Sequence, residues 1–142
     1  MKIKNFKQKL LYLLAIGASI FFLFFFITCS WIGYEVKGQC QDATGEYGGN
    51  FNSRTDCVNA LASLLNDEKK SFRDRNRAIW ALGQLGDNRA LPTLESYYTG
   101  NIPEREPLDQ TISQYELKKA VNLAGGATNL SAFVWRGVFR EK

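Results

Sequence analysis

One uninterrupted hydrophobic run lies near the start of the chain. From Leu10 to Ile32 the sequence carries no charged residue, and Phe and Leu predominate. At the rise of an α-helix this run would span roughly 34 Å, enough to cross a hydrocarbon core of about 30 Å with some tilt. Trp31 and Tyr34 stand where aromatic side chains often meet a membrane surface. The run therefore predicts a transmembrane anchor at residues 10–32, in contact with the lipid bilayer.

Three other interpretations of the run stay open at this point. A cleaved signal peptide would have an apolar region of about 7–15 residues and then a small-x-small site, whereas this run is longer and ends in FITCSW. A lipoprotein anchor at Cys29 would follow Thr28, which is a poor residue before a lipidated cysteine. A buried helix of a soluble fold is the third, but uncharged runs of this length are rare there. We expect an uncleaved anchor.

Beyond the anchor the apolar positions recur every three or four residues, which is the spacing of amphipathic helices. Three longer helices are predicted in this way. Their apolar faces are, in chain order, Val58, Leu61, Leu64 and Leu65; Ala78, Ile79, Leu82 and Leu85; and Ile112, Leu117, Ala120, Val121 and Ala124. A capping pattern of Ser53 with Asp56 opens the first of them, and Asn129 is expected to cap a last short helix.

Turn residues divide the central stretch into two helices. Gly83 and Gly86 weaken the first helix, and Gly86 is well placed to end it in a left-handed conformation. Asp87 can then accept hydrogen bonds from the unpaired amides that open the next helix. Pro92 is tolerated only in the first turn of a helix, so the second helix should begin near Ala90 or Leu91. These signals predict a helical hairpin.

The same stretch combines small residues, two Leu-Gly pairs, an Asp, an Arg-Ala pair, a Pro and a Leu. The positions concerned are Ala78, Ala81, Leu82, Gly83, Leu85, Gly86, Asp87, Arg89, Ala90, Pro92 and Leu94. This pattern resembles the HEAT-like repeat of the type found in phycobilisome lyases. The resemblance covers about one repeat and fades after Leu94, where ESYYTGNIPEREPLDQ is longer and more polar than a typical junction between repeats.

A second, degenerate unit can be aligned with the first. Ala78 and Gly83 then fall on Ala120 and Gly125, at a spacing within the range of about 40–47 residues that HEAT repeats show. The sequence thus predicts an all-α fold, in which the transmembrane helix is followed by a short HEAT-like α-solenoid of about two helical hairpins. About five helices are expected beyond the anchor. Because such stacks usually need about three units, the chain is expected either to compensate with a disulfide, the long connector and aromatic side chains, or to leave one end face available to a partner.

Cysteine placement suggests a disulfide. Cys40 and Cys57 bracket a glycine-rich segment and are the only cysteines beyond the anchor. In an exported domain such a pair is expected to form a disulfide, which would stabilise the fold by about 3 kcal/mol. Metal binding is the alternative, but the chain has no histidine, and two distant cysteines do not make a zinc site.

The distribution of charged residues predicts the orientation of the chain in the membrane. The formal net charge of +4 equals the contribution of four lysines that precede the anchor, Lys2, Lys4, Lys7 and Lys9. Lysines on one side of a span favour a cytoplasmic N-terminus and hence an exported C-terminal domain, periplasmic or extracellular. We divide the chain into a basic cytoplasmic tail (1–9), the anchor (10–32), a linker loop (33–52) and a HEAT-like helical domain (53–142). Since the domain itself is nearly neutral, no nucleic-acid partner is expected.

Catalytic chemistry finds little support in the sequence. Acid–base and nucleophilic catalysis commonly use a histidine, and there is none. Glu104, Glu106 and Asp109 lie in a segment with Gly and Pro that predicts an exposed connector. The alternating arginines at positions 73, 75 and 77 are expected on a solvated helix face. We expect no enzyme, no cofactor and no metal site.

A role in binding follows from the remaining features. The face around Phe133, Trp135 and Phe139 is expected to contact an unidentified protein partner; alternatively, these aromatic side chains only close the end of the core. The expected function is a membrane-anchored HEAT-like module that mediates protein–protein interaction on the non-cytoplasmic side. The alternative function is a small accessory or inhibitory subunit of a membrane enzyme complex, which would act through its transmembrane helix.

Overall fold

One long helix and five shorter ones make up the structure, a computed structural model that describes the backbone of residues 2–138 and the side chains of residues 6–137. The helices are α1 (Lys2–Tyr47), α2 (Arg54–Asn66), α3 (Phe72–Leu85), α4 (Leu91–Tyr97), α5 (Gln114–Ala124) and α6 (Ala132–Trp135). Two 3-10 turns, Asn88–Ala90 and Arg136–Val138, follow α3 and α6. No strand occurs among the described residues, so the expected all-α class and the order of the helices are confirmed for them.

The first part of α1 stands clear of the rest of the protein. Side chains from Phe6 to Thr28 are exposed, apart from the half-buried Phe25. By length and composition α1 is a candidate membrane span, in line with the anchor predicted at residues 10–32. A signal sequence near an N-terminus would meet the same two criteria.

The second part of α1 corrects the predicted linker loop at residues 33–52. The helix continues through this segment as far as Tyr47. Val36, Cys40 and Ala43 recur at helical spacing on one side of it, and all three are fully buried. They belong to the same hydrophobic core as α2 and α3. Most of the predicted linker is therefore a packed helix of the domain, and only the part after Tyr47 is a loop.

Glycine content was the reason that the sequence suggested a loop here. Gly38 and Gly45 each cost a helix roughly 1 kcal/mol relative to alanine, but burial of one apolar side chain contributes about 1.5–3 kcal/mol. The buried stripe of α1 therefore outweighs the two glycines. The helix ends instead at Gly48 and Gly49, whose φ angles of 85° and 120° lie in the region that glycine tolerates best.

A disulfide joins the two first helices of the domain. Cys40 on α1 and Cys57 on α2 are bonded, with their Cα atoms 5.0 Å apart, and both are fully buried. The predicted pairing is therefore present in the structure. The third cysteine, Cys29, carries no disulfide and is buried on α1.

Polar contacts tie the end of α1 to the loop between α2 and α3. The Tyr47 hydroxyl donates to the Asp67 carboxylate at 2.8 Å, and Lys70 pairs with Glu46 at 2.6 Å. Burial and the bond to Asp67 raise the pKa of Tyr47 to about 12. α3 thus starts beside the C-terminal end of α1 and runs back toward the candidate span.

Serine caps open the three longer helices of the domain. Ser53, Ser71 and Ser113 each accept a hydrogen bond from the backbone N–H three residues later, at Asp56, Asp74 and Glu116. The predicted cap at Ser53 is therefore confirmed. The same Ser-x-x-acid spacing in the sequence would have located the other two.

α3 packs closely against α5 at Gly83. A Cβ atom added at Gly83 would lie 2.8 Å from the Cα atom and 3.0 Å from the Cβ atom of Ala120. The absence of a side chain at Gly83 therefore lets the two helix backbones approach. The sequence identified Gly83 as a residue that weakens α3, and the structure adds that it sets the distance between α3 and α5.

Replacing Gly83 by Val should push α3 and α5 apart. We expect the Gly83→Val variant to lose about 1–3 kcal/mol of unfolding free energy, the usual cost of overpacking. The measurement is urea unfolding of the full chain in detergent micelles, followed by ellipticity. Gly45→Val is the matched control, since an added Cβ at this helical position meets nothing within 4 Å. Equal losses in both variants would contradict the contact.

Candidate interaction site

The turn between α3 and α4 has the geometry that its sequence predicts. Gly86 ends α3 in the left-handed conformation, with φ 58° and ψ 42°. The Asp87 carboxylate accepts from the Arg89 backbone N–H at 3.0 Å and from its Nε at 2.8 Å. Pro92 lies in the first turn of α4, which begins at Leu91. These local signals therefore determine where each helix ends and begins.

The residues that carry the repeat resemblance have structural roles. The apolar ones, Ala78, Ala81, Leu82, Leu85, Ala90 and Leu94, are fully buried. Gly86, Asp87, Arg89 and Pro92 shape the turn. These positions build the scaffold of the hairpin.

Arginines cap the C-terminal end of α3. Arg54 donates its Nη2 to the Leu85 carbonyl at 2.6 Å, and Arg136 donates its Nε to the Gln84 carbonyl at 2.9 Å. Positive charge at this end complements the partial negative charge of the helix terminus. Burial, with Arg54 nearby, lowers the pKa of Arg136. The cluster thus closes the end of the repeat.

Asp87 is the carboxylate within this cluster. It pairs with Arg54 at 3.3 Å and with Arg89 at 2.5 Å. The hydrogen bond from Arg89 is the main cause that lowers the pKa of Asp87. A cavity of about 610 Å³ opens beside these side chains, but their contacts already serve the turn and the helix end.

Asn76 fastens the long connector to α3. Its buried side chain donates from Nδ2 to the carbonyls of Leu108 and Thr111, at 3.0 and 2.8 Å. Its Oδ1 accepts from the Ser113 backbone N–H at 2.9 Å. One amide thereby holds three backbone groups of the connector. Asn76 was not among the predicted functional residues, although its position beside the apolar face of α3 was a usable signal.

Glu106 anchors the same connector to the start of α5. Its carboxylate accepts from the Ser113 hydroxyl and the Gln114 backbone N–H, both at 2.6 Å. The negative charge also suits the positive end of the helix. The connector is exposed, as predicted, but Glu106 and Asn76 give it a fixed path across α3 and α5.

A groove of about 800 Å³ results between α3, the connector and α5. Its lining residues include apolar, cationic and anionic side chains: Ser71, Arg73, Asn76, Arg77, Trp80, Leu108, Asp109 and Glu116. Arg73 and Arg77 are exposed and Trp80 is half-buried. Such a mixed surface can offer an aromatic contact together with ion pairs of both signs.

The expected solvated face of arginines needs one correction. Arg73 and Arg77 are exposed, but Arg75 is buried and donates its Nε to the Leu65 carbonyl at 2.8 Å. Arg75 thereby satisfies a carbonyl at the end of α2, because the position on α3 that it occupies faces that helix.

The hairpin of α3 and α4 matches a known family of repeats. Residues 74–98 match a family model described as the PBS lyase HEAT-like repeat. Helices α3 and α4 form a HEAT-like repeat. No curated protein and no solved structure matches the chain. The matched residues contain the Gly86 turn, so the resemblance seen in the sequence is confirmed for this hairpin.

The predicted partner face does not form a single surface. Phe133 is 81% exposed, whereas Trp135 is only 4% exposed and packs against Gly33 of α1. Phe139 lies outside the described residues. Trp135 therefore closes the core beside the HEAT-like repeat, as the alternative interpretation proposed, and Phe133 points away from it.

The start of the last helix also differs from expectation. Asn129 was predicted to cap it, but α6 begins at Ala132, after Ser131. The Asn129 side chain instead donates to the Gln84 side chain at 2.9 Å and accepts from the Ser131 hydroxyl at 2.7 Å. Asn129 thus links the last loop to the HEAT-like repeat.

Acidic residues of the connector do not assemble a metal site. Among the described residues there is no group of three or more His, Cys, Asp and Glu side chains that could hold a metal ion. Glu106 acts as a cap for α5, and Asp109 lines the groove.

Removing the Asn76 side chain should release the connector. The Asn76→Ala variant leaves three backbone polar groups without this partner, so we expect a loss of about 1–3 kcal/mol of unfolding free energy. Limited proteolysis should then cleave the connector between Thr99 and Ser113 faster than in the unmodified chain. Asn122→Ala, at an exposed position on α5, is the control. Unchanged cleavage in Asn76→Ala would show that other contacts hold the connector.

Proposed function

We propose that this chain is a membrane-anchored HEAT-like module that binds a protein partner on the non-cytoplasmic side of the membrane. The observation that carries the proposal is the groove beside α3, where Trp80, Arg77 and Glu116 border a connector held in place. HEAT-like repeats supply helical surfaces of a kind suited to protein contacts. The chain would act by binding, without catalysis or a cofactor.

Support for the anchor comes from the surroundings of α1. Its exposed apolar side chains between Phe6 and Thr28 would be unfavourable in water, whereas a bilayer would cover them. The four lysines before residue 10 favour a cytoplasmic N-terminus. The disulfide between Cys40 and Cys57 favours an oxidising compartment for the domain.

The groove favours a partner segment with particular chemistry. Trp and Arg are enriched among residues that dominate binding energy at interfaces. An apolar side chain of the partner could cover Trp80, and an acidic one could pair with Arg77. Glu116 and Asp109 offer the opposite charge across the groove. We therefore infer a partner segment that carries an acidic residue beside an apolar one.

Charge reversal at Arg77 should abolish partner binding. A photoreactive amino acid at the exposed position 73 is expected to yield one discrete cross-linked product in cells, because the groove holds the partner there. Arg77→Glu should remove that product. Lys118→Glu, the same charge reversal at an exposed position of α5 outside the groove, should retain it. A product that survives Arg77→Glu would contradict the groove as the binding surface.

Replacing residues 10–32 by an unrelated span separates the two candidate functions. The proposed function requires the cross-linked product to persist, because the groove lies in the domain. Its loss would favour an accessory or inhibitory subunit that acts through the transmembrane helix. A photoreactive residue at exposed Ser96 on α4 should give no product and controls for nonspecific reaction.

A further inference from the structure

The last helix packs on α1 where the exposed apolar part of α1 ends. A Cβ atom added at Gly33 would lie 2.5 Å from the Cβ atom of Trp135, so α6 rests directly on the α1 backbone. Cys29, one helical turn earlier, is already 2% exposed. Protein begins to cover α1 at this level, within one turn of the end of the proposed span.

The opposite side of α6 is apolar and exposed. Ala132 and Trp135 are buried toward the domain, whereas Phe133 is 81% exposed and the preceding Leu130 is 67% exposed. At about 100° per residue, Phe133 lies on the side of α6 opposite Trp135. Two large apolar side chains, one on α6 and one just before it, are thus exposed and point away from the core.

The point along α1 at which α6 packs determines the surroundings of α6. The first charged residue after Lys9 is Glu35, so the uncharged part of α1 extends past Gly33. A bilayer that covers this part therefore reaches the height at which Trp135 meets Gly33. With the proposed anchor, α6 would stand at the level of the interfacial layer, where exposed apolar side chains can be buried.

Aromatic side chains stand at the same height on other sides of α1. Trp31 is 62% exposed and Tyr34 is 77% exposed, and at helical spacing neither points in the direction of Gly33. Trp and Tyr are enriched at this level of membrane proteins. Together with Phe133, these two side chains surround α1 with aromatic groups where the helix leaves the proposed membrane span.

We infer that Phe133 of α6 and the preceding Leu130 lie in the interfacial layer of the lipid bilayer, so that the HEAT-like domain rests on the membrane surface. The inference rests on the proposed anchor and assigns the exposed face of α6 to lipid. The groove lies toward the far end of the domain, since Ser71 at its edge follows Lys70, which pairs with Glu46 near the end of α1.

Spin labels on the full chain in phospholipid nanodiscs test this placement. Cys29→Ala removes the cysteine that is outside the disulfide, and labels are attached separately after Phe133→Cys, Phe22→Cys and Leu108→Cys. Phe133, Phe22 and Leu108 are exposed in the chain, so labelling should preserve the fold, as the helical circular dichroism spectrum would verify. Collision rates with oxygen and with a water-soluble nickel complex report the depth of each label.

We expect the label at position 22 to lie deepest in the bilayer, the label at 133 to be shallower, and the label at 108 to be the shallowest. At position 133 the nickel collision rate should fall severalfold below that at position 108, while oxygen access rises. If the label at position 133 has the collision rates of the label at 108 while the label at 22 lies deep in the bilayer, the anchor is supported and the inference is overturned. Phe133 would then be available to a protein partner. If 22 also behaves like 108, the anchor itself fails and the inference falls with it.

Discussion

Continuity of α1 between the candidate span and the core is the constraint on which the other features depend. The helix enters the domain without a flexible break, and Val36, Cys40 and Ala43 supply one wall of the core. Small side chains and Gly33 on this side allow α2 and α6 to approach closely. The orientation of the domain therefore follows from the direction of α1.

This arrangement also explains how so short a repeat domain can be stable. A HEAT-like hairpin cannot bury its apolar face alone, and about three stacked units are usually needed. The second part of α1 pairs with α2, and the disulfide between Cys40 and Cys57 fastens that pair. α3 packs against both α2 and α5, and α6 packs on α1, so helices outside the matched repeat cover the HEAT-like hairpin.

The parts of the fold that could be predicted are those set by residues close together in the sequence. Gly86, Asp87 and Pro92 determine the turn through their own backbone preferences and hydrogen bonds, so their positions followed from the sequence. The helical continuation of α1 was missed because the glycines there were given more weight than the buried stripe. That stripe has helical spacing and could have been recognised.

Long-range contacts account for the features that sequence reasoning did not find. The Asn76 side chain forms hydrogen bonds with backbone groups more than thirty residues away in the chain. No neighbouring residue in the sequence indicates those partners. Trp135 and Phe133 are both aromatic, but only packing on Gly33 decides which of them is buried. The groove depends on the Asn76 contacts and so could not be predicted, although its arginines were noticed.

Hydrogen exchange of the full chain in nanodiscs shows whether α1 continues as one helix into the domain. If α1 is one helix built into the domain, the backbone amides from Val36 to Tyr47 should exchange as slowly as those of α2 and α3. Rapid exchange between Val36 and Tyr47 while α3 stays protected would contradict this continuity, because a flexible linker would then join the candidate span to the domain.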